Sequence, residues 1–338
     1  MRSLRKSASR NVGARSGGLI KSLAALLGAM ACCLSSFASA ADYPVRPLRF
    51  VVCTPPGGQI DILARLTAEK MQASMGQPAV VENKPGAVGR IAVQDILKTP
   101  SDGHSVLFCG IQLVTMPLFF KEPGYEMGKD ILTTAILMDN AGTVAINAGI
   151  PARNLREFIT YAKANPGKLN YVSYGNHHIT LAIEAFKAAE GFTMVPIPFA
   201  GTAPMLTGMV QGELHFGVNA VTLFKPLVDK NQVRLIATVG SQRTTTAPDV
   251  PTAAEQGYPN FIMPSWFAAF VRGGTPKDVT ERINRELNTA VRLPDVRTKL
   301  EALDAAVLNM NLDEINRDVQ SKYEFFSKIA TQLKIEKQ

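Results

Sequence analysis

From Leu48 onward, short apolar runs rich in β-branched residues alternate with longer segments in which apolar residues return every three or four positions. Leu48–Cys53 is the first run; a Pro-Pro-Gly-Gly turn follows, then a segment with Ile62, Leu63 and Leu66 on one helical face. Ala79–Glu82 reads as a second strand, followed by another glycine-rich turn and a short helix to Leu97, and Ser105–Phe108 as a third strand. Strands alternating with helices predict βαβ units and a parallel sheet. A stretch with no clear helix comes next. The pattern then restarts with strand Thr143–Asn147, helix Leu155–Asn165 and its Asn165-Pro166-Gly167 stop. Strand Asn170–Tyr174, helix Ile179–Glu190, strand Val195–Pro198, helix Ala203–Val210 and strands Leu214–Val218 and Arg234–Val239 complete a second α/β unit.

The tail from Pro276 is helical in pattern, and its last helix sets Ile315, Val319, Tyr323, Phe326, Ala330 and Leu333 in a stripe that reads as core packing. Such a stripe needs a sheet to cover, and the first unit has few helices of its own. The chain is therefore expected to return to the first domain near Pro264. The expected fold class is α/β: residues 41–143 plus 264–338 form domain one and 144–263 domain two, joined by two crossover segments with a ligand cleft between them.

Composition changes the picture at one end. The 338 residues carry a net charge of +8, which suggests a nucleic-acid or membrane surface. Residues 1–40, however, hold six bases (Arg2, Arg5, Lys6, Arg10, Arg15, Lys21) and no acid, then an apolar run from Leu23 to Leu34, and end in Ser-Ser-Phe-Ala-Ser-Ala. This is the order of a secretory signal peptide, with cleavage expected after Ala40. A spanning helix needs about 20 apolar residues, more than this run supplies. A lipoprotein anchor at Cys32 or Cys33 lacks the usual leucine, since Ala29-Met30-Ala31 precede them. Removing the leader leaves 30 bases against 28 acids, so the exported chain is nearly neutral and nucleic acid is not an expected partner. Two cysteines remain, Cys53 and Cys109, at the ends of strands that would be neighbours in a 2-1-3 order. Two buried thiols are expected there in preference to a disulfide.

Candidate chemistry gathers in the loops that leave strands and open helices. Thr54-Pro55-Pro56-Gly57-Gly58-Gln59 combines prolines that preset the backbone with glycines that let a ligand approach it, and the helix-start amides attract an anion. Asp61 sits in the first helical turn, where it can bond local amides. An ordinary strand-to-helix turn is the alternative reading. Pro85-Gly86-Ala87-Val88-Gly89-Arg90 repeats the arrangement; it matches no nucleotide-binding pattern, and Arg90 is either a bidentate carboxylate partner or a solvated surface residue. In the second unit Ser173-Tyr174-Gly175-Asn176-His177-His178 and Phe199-Ala200-Gly201-Thr202-Ala203-Pro204 each join a strand to a helix, with Thr202 as an N-cap candidate, and Asn219 ends the next strand. No nucleophile elbow is present, His177 and His178 lack zincin spacing, and His104 and His215 are isolated, so neither catalytic residues, metal nor cofactor is expected.

With the Pro-Pro-Gly-Gly-x-x-Asp loop placed, residues 42–338 resemble the substrate-binding proteins of tripartite tricarboxylate transporters, the Bug or TctC family. Supporting segments include Tyr43-Pro44 with Pro47-Leu48-Arg49, Pro55–Asp61, Val81–Ala87, Asp102-Gly103, Tyr161–Tyr171, Gly175-Asn176, Gly201 with Ala203-Pro204, Pro248–Thr252, Ser265-Trp266-Phe267 and Gly274-Thr275-Pro276. The resemblance implies a periplasmic Venus-flytrap fold without catalytic activity, which captures an organic carboxylate and passes it to a membrane permease; a monomer is expected. It implies ligand contacts at Gly57, Gly58 and Gln59 in domain one, and at Ser173, Asn176, Gly201, Thr202 and Asn219 in domain two.

Departures from the family pattern bear on specificity. Val88 and Arg90 replace a glycine and a small or amide residue, His177-His178 stand in a loop one residue shorter than usual, Asn219 replaces a frequent aspartate, and Ile60 a frequent hydroxyl residue. Loss of an acid at Asn219 and gain of donors at Arg90, His177 and His178 favour a second carboxylate on the ligand. The expected ligand is a dicarboxylate, with an aromatic one such as terephthalate as the specific guess. A secreted ester hydrolase and a ligand-sensing input protein for a membrane receptor are the alternatives.

Overall fold

The computed structural model describes residues 43–140, 142–173, 177–199, 202–240 and 242–338, with Thr202 described by its backbone alone. The expected leader, its cleavage point after Ala40, Cys32 and Cys33 lie outside the described residues, as do Gly175, Asn176 and Gly201. No helix among the described residues is long and apolar enough to cross a membrane.

From Pro44 the chain runs β1 (Leu48–Val52), α1 (Gln59–Met75), β2 (Ala79–Asn83), a 3₁₀ turn at Ala87–Gly89, α2 (Arg90–Ile96), β3 (Ser105–Gly110), α3 (Gln112–Phe119) and β4 (Ile131–Asn140). It then crosses into β5 (Thr143–Asn147), α4 (Leu155–Ala164), β6 (Asn170–Ser173), α5 (His178–Glu190), β7 (Val195–Pro198), α6 (Thr202–Gln211), β8 (Phe216–Asn219), α7 (Val221–Val228) and β9 (Val233–Thr238). A second crossover leads to β10 (Trp266–Arg272), α8 (Lys277–Arg292), α9 (Pro294–Glu301), β11 (Ala305–Val307) and α10 (Leu312–Gln332). One sheet has the order β2-β1-β3-β10-β4-β11 and the other β7-β6-β8-β5-β9. We call the regions built on them lobe one and lobe two.

Each sheet contains a parallel three-strand unit with its first strand in the middle, β2-β1-β3 and β7-β6-β8. The wholly parallel sheet expected from the alternation is corrected by the rest. The strands that start at a crossover, β5 and β10, lie antiparallel to β8 and β3, and β9 and β4 lie antiparallel to them in turn. The cause is geometric. A parallel neighbour needs a long crossover connection, usually a helix. A strand arriving directly from the other lobe starts at the cleft and runs away from it, against the unit whose strands run towards it.

β4 has the sequence ILTTAILMDN and occupies an interior position in its sheet, buried along almost its whole length. A strand covered on both faces has no polar-apolar alternation to betray it. α3 was equally silent because Pro117 interrupts a short, uniformly apolar helix. Pro117 cannot donate to the Leu113 carbonyl one turn earlier, and the buried Tyr125 hydroxyl donates to that carbonyl instead. In lobe two the alternation is legible in three dimensions: Val144, Ile146, Tyr171 and Phe216 pack on one face, Ala145 and Val172 on the other.

The expected α10 stripe is buried at Ile315, Phe326 and Ala330 and only partly buried at Val319, Tyr323 and Leu333. It covers more than the first sheet: α10 packs on β4 and α3 of lobe one and also on α5 of lobe two, where the Phe326 ring meets His178 edge-on at 5.8 Å.

Candidate functional site

The loop Thr54–Gln59 leaves β1 at its carboxyl end, beside β3, where the connections of the parallel unit diverge to opposite sides. Open α/β sheets bind ligands in such a crevice. Gly57 has a φ of +82° with nothing near its missing side chain, so conformation and not crowding demands glycine. Its amide donates to Asp61 Oδ2 at 2.9 Å. Asn83 Nδ2 donates to Asp61 Oδ1 at 2.8 Å and to the Thr54 carbonyl at 3.0 Å, while Arg65 Nε donates to Asp61 Oδ2 at 3.0 Å. Burial pushes the Asp61 carboxyl up, and the bonds from Arg65, Gly57 and Asn83 more than offset this and hold it below the usual range. The loop's one acid is thus consumed in shaping the loop. Gly58 is the N-cap of α1 and no side chain caps that helix, so its first amides are presented at the cleft edge. Gln59 is tied to the lobe connection: it donates to the Leu303 carbonyl at 2.9 Å and accepts from Asn140 Nδ2 at 2.6 Å.

The two thiols expected at the strand ends are a disulfide, with Cα atoms 5.4 Å apart. Parallel register explains the correction: Val52 pairs with Phe108, so Cys53 and Cys109 stand side by side one residue later, within reach of a bridge. The loop after β2 folds onto this bridge. A side-chain carbon at Gly89, where φ is +98°, would lie 3.1 Å from Cys109 Sγ. Before it, Ala87 and Val88 adopt left-handed φ values of 47° and 56°, each costing about 1–2 kcal/mol for a residue with a side chain. Arg90 opens α2 with its guanidinium 5.7 Å above the Phe120 ring.

In lobe two the parallel strands again run towards the cleft. Ser173 ends β6 and is buried; Thr202 begins α6. Asn219 ends β8 opposite Thr143 of β5, and its Oδ1 accepts from the Ala220 amide at 2.9 Å. His177 is the N-cap of α5, its Nδ1 accepting from the Ile179 amide at 3.3 Å. Accepting there requires an unprotonated Nδ1, in keeping with burial, which pushes the ring down to about 4. His178, only 3% exposed, stacks on His177 with centroids 4.1 Å apart. Burial first, and His177 second, hold it well below the usual histidine range. Both imidazoles are therefore neutral at physiological pH.

Several cleft-edge residues escaped the sequence reading. Asp304, buried between α9 and β11 with φ of +64°, belongs to lobe one yet reaches lobe two. It accepts from Thr246 Oγ1 at 2.8 Å and from the Val221 amide at the start of α7. The buried atoms Thr54 Oγ1, Asn140 Oδ1, Thr143 Oγ1, Thr238 Oγ1 and both ring nitrogens of His178 have no hydrogen-bond partner among the described residues. Nothing local marks these positions in the sequence. The pairing of β5 with β9 sets Thr143 against Thr238, and Asn140 ends β4 three residues before Thr143.

The arrangement has counterparts. BugT of Bordetella pertussis is 31% identical over 261 residues, covering 75% of this chain and 79% of its own length. The R. palustris protein Rpa4515, solved with adipate, superposes with a TM-score of 0.77 at 26% identity, covering 88% of this chain and all of that one. MatC from Rhodopseudomonas palustris, solved with bound malate, gives 0.72 at 26% identity, covering 85% of this chain and all of that one. The tripartite tricarboxylate transporter family receptor pattern, TctC, matches residues 63–334. With two Venus-flytrap lobes and the uncapped start of α1 at the edge between them, the chain belongs to the TctC or Bug family of solute receptors.

Proposed function

We propose that the protein is exported by its first 40 residues, released after Ala40 into the periplasm, and there binds a small dicarboxylate between its lobes as a monomer. It hands the ligand to the membrane permease of a tripartite tricarboxylate-type transporter. The observation that carries this reading is the electrostatic character of the cleft edge. Asp61 is neutralised within its own network, and lobe two presents neutral His177, His178, Ser173 and Asn219 where the next strands end. Free amides at the α1 start in lobe one and neutral polar side chains in lobe two, with no free acid among those residues, suit a ligand with a carboxylate at each end. Adipate and malate, found with the two structural relatives, are both dicarboxylates.

Function then rests on closure about the two crossovers, with binding and not turnover as the activity. Titration calorimetry against adipate, malate, terephthalate and benzoate tests the reading: tight binding of a diacid over benzoate is expected, and binding of only the monoacid sinks it. Mass spectrometry of the small molecule that copurifies identifies the ligand, and scattering with and without it reads closure.

A further inference from the structure

The loop after β2 carries a side chain where its backbone calls for none. Val88 sits at φ of +56° and ψ of +28°, a region that β-branched residues avoid and glycine enters freely. Strain of this kind persists only where the surrounding structure enforces it, and it clusters at ligand clamps. The loop is also in the right place. Gly89 rests on Cys109 Sγ and Cys53 Cβ, so Val88 stands above the ends of β1 and β3, at the crevice where the Thr54–Gln59 loop emerges.

Val88 is 42% exposed and Ile91 46%. Exposed large aliphatic residues are few among the described residues, and these two lie three positions apart where the turn enters α2, Val88 in the turn and Ile91 in the first helical turn with its Cδ1 against Gly86. The neighbouring charge, Arg90, lies over the Phe120 ring. The result is an apolar face beside loops that otherwise offer polar groups.

We propose that Val88 and Ile91 form the wall on which the hydrocarbon segment between the ligand's carboxylates lies. The ligand class is then a dicarboxylate with an aliphatic or aromatic spacer; a hydroxylated spacer would set its hydroxyl, stripped of water, against carbon. This rests on the dicarboxylate reading of the cleft and narrows it.

The test compares adipate, terephthalate and malate by calorimetry on the wild type, Val88→Gly and Ile91→Ser, with thermal unfolding alongside. Val88→Gly relieves the backbone, so its melting temperature is expected to hold or rise. Its affinity for adipate or terephthalate should fall about tenfold, the worth of burying one valine side chain, and that for malate less than threefold. Ile91→Ser should lose affinity in the same order. Unchanged adipate and terephthalate binding in both variants, or equal losses for all three acids, overturns the wall while leaving the dicarboxylate reading intact. A wild type that binds none of the three overturns both.

Discussion

Lobe one holds its cleft-side loops with a covalent bond and with charge: the Cys53–Cys109 bridge, the Asp61 network, and the Arg49 pairs with Glu82 at 2.7 Å and Asp95 at 2.6 Å behind them. Lobe two, built on the same strand plan, has two dehydrated imidazoles at the start of α5 and an aromatic core behind them, with Phe186 and Phe261 stacked at 3.8 Å. The same topology thus yields a rigid mould on one side and a neutral, acid-sensitive surface on the other. A flytrap needs only one lobe to be shaped in advance; the other closes on what the first has captured.

The sharpest way to break this contrast is to cut the bridge. Cys53→Ser with Cys109→Ser should cost about 4 kcal/mol, from the loop entropy the bridge removes from the unfolded chain. Trp266, the single tryptophan, is buried in β10 and reports lobe one in urea unfolding. An unshifted midpoint would show that the bridge is not what holds that lobe.

Asp61→Ala should come next, at about 2–3 kcal/mol, because it removes the acceptor of the Gly57 amide, one of the two acceptors of the Asn83 amide and the ion-pair partner of Arg65. Binding should weaken with it as the loop loses its shape. Acid probes the same group. With its folded pKa below the ordinary 3.8, Asp61 contributes stability that is full above that value and is lost as pH falls through the lower folded one.

Lobe two should fail in a different window. The folded pKa values of His177 and His178 lie below 6.5, so the unfolded chain takes up protons first, and stability falls as pH drops from about 6.5 towards 4. Hydrogen exchange of peptides from α5 should accelerate through that range before peptides from α1 do. His177→Asn with His178→Asn, which keeps a capping oxygen, should flatten the response. Simultaneous loosening of both lobes would contradict the division.

The smallest effect is expected at the contact that joins the lobes. Asp304→Gly relieves a left-handed backbone and removes the carboxylate that caps α7, so unfolding should move little. Ligand affinity should drop about fivefold, near 1 kcal/mol, as α7 and the adjacent Asn219 lose their tether to lobe one. Unaltered affinity would reduce Asp304 to a local turn residue.

Much of this was readable in the chain. The alternation of Leu48–Cys53 with the Ile62-Leu63-Leu66 face, and its restart at Thr143, gave strands, helices and their grouping, since amphipathic period records which face is buried. The cleft loops were readable too, because Pro55-Pro56-Gly57-Gly58 is backbone chemistry written in side chains. β4 was not, being covered on both faces, nor was α7, a short apolar helix interrupted by Pro226. Nor could the chain show that the Gln59 side chain bonds Leu303 and Asn140, partners far off in sequence.

What the sequence determined by itself was local: periodicity, caps, turn residues and a basic leader, each fixed by neighbours within a few positions. Tertiary structure decided whatever needed a distant partner. It turned two thiols 56 positions apart into a bridge, ran the crossover strands against their sheets, tied Asp61 to Asn83 and stripped the water from His178. Pairing energies and desolvation depend on which surfaces meet, and that is set by the whole fold.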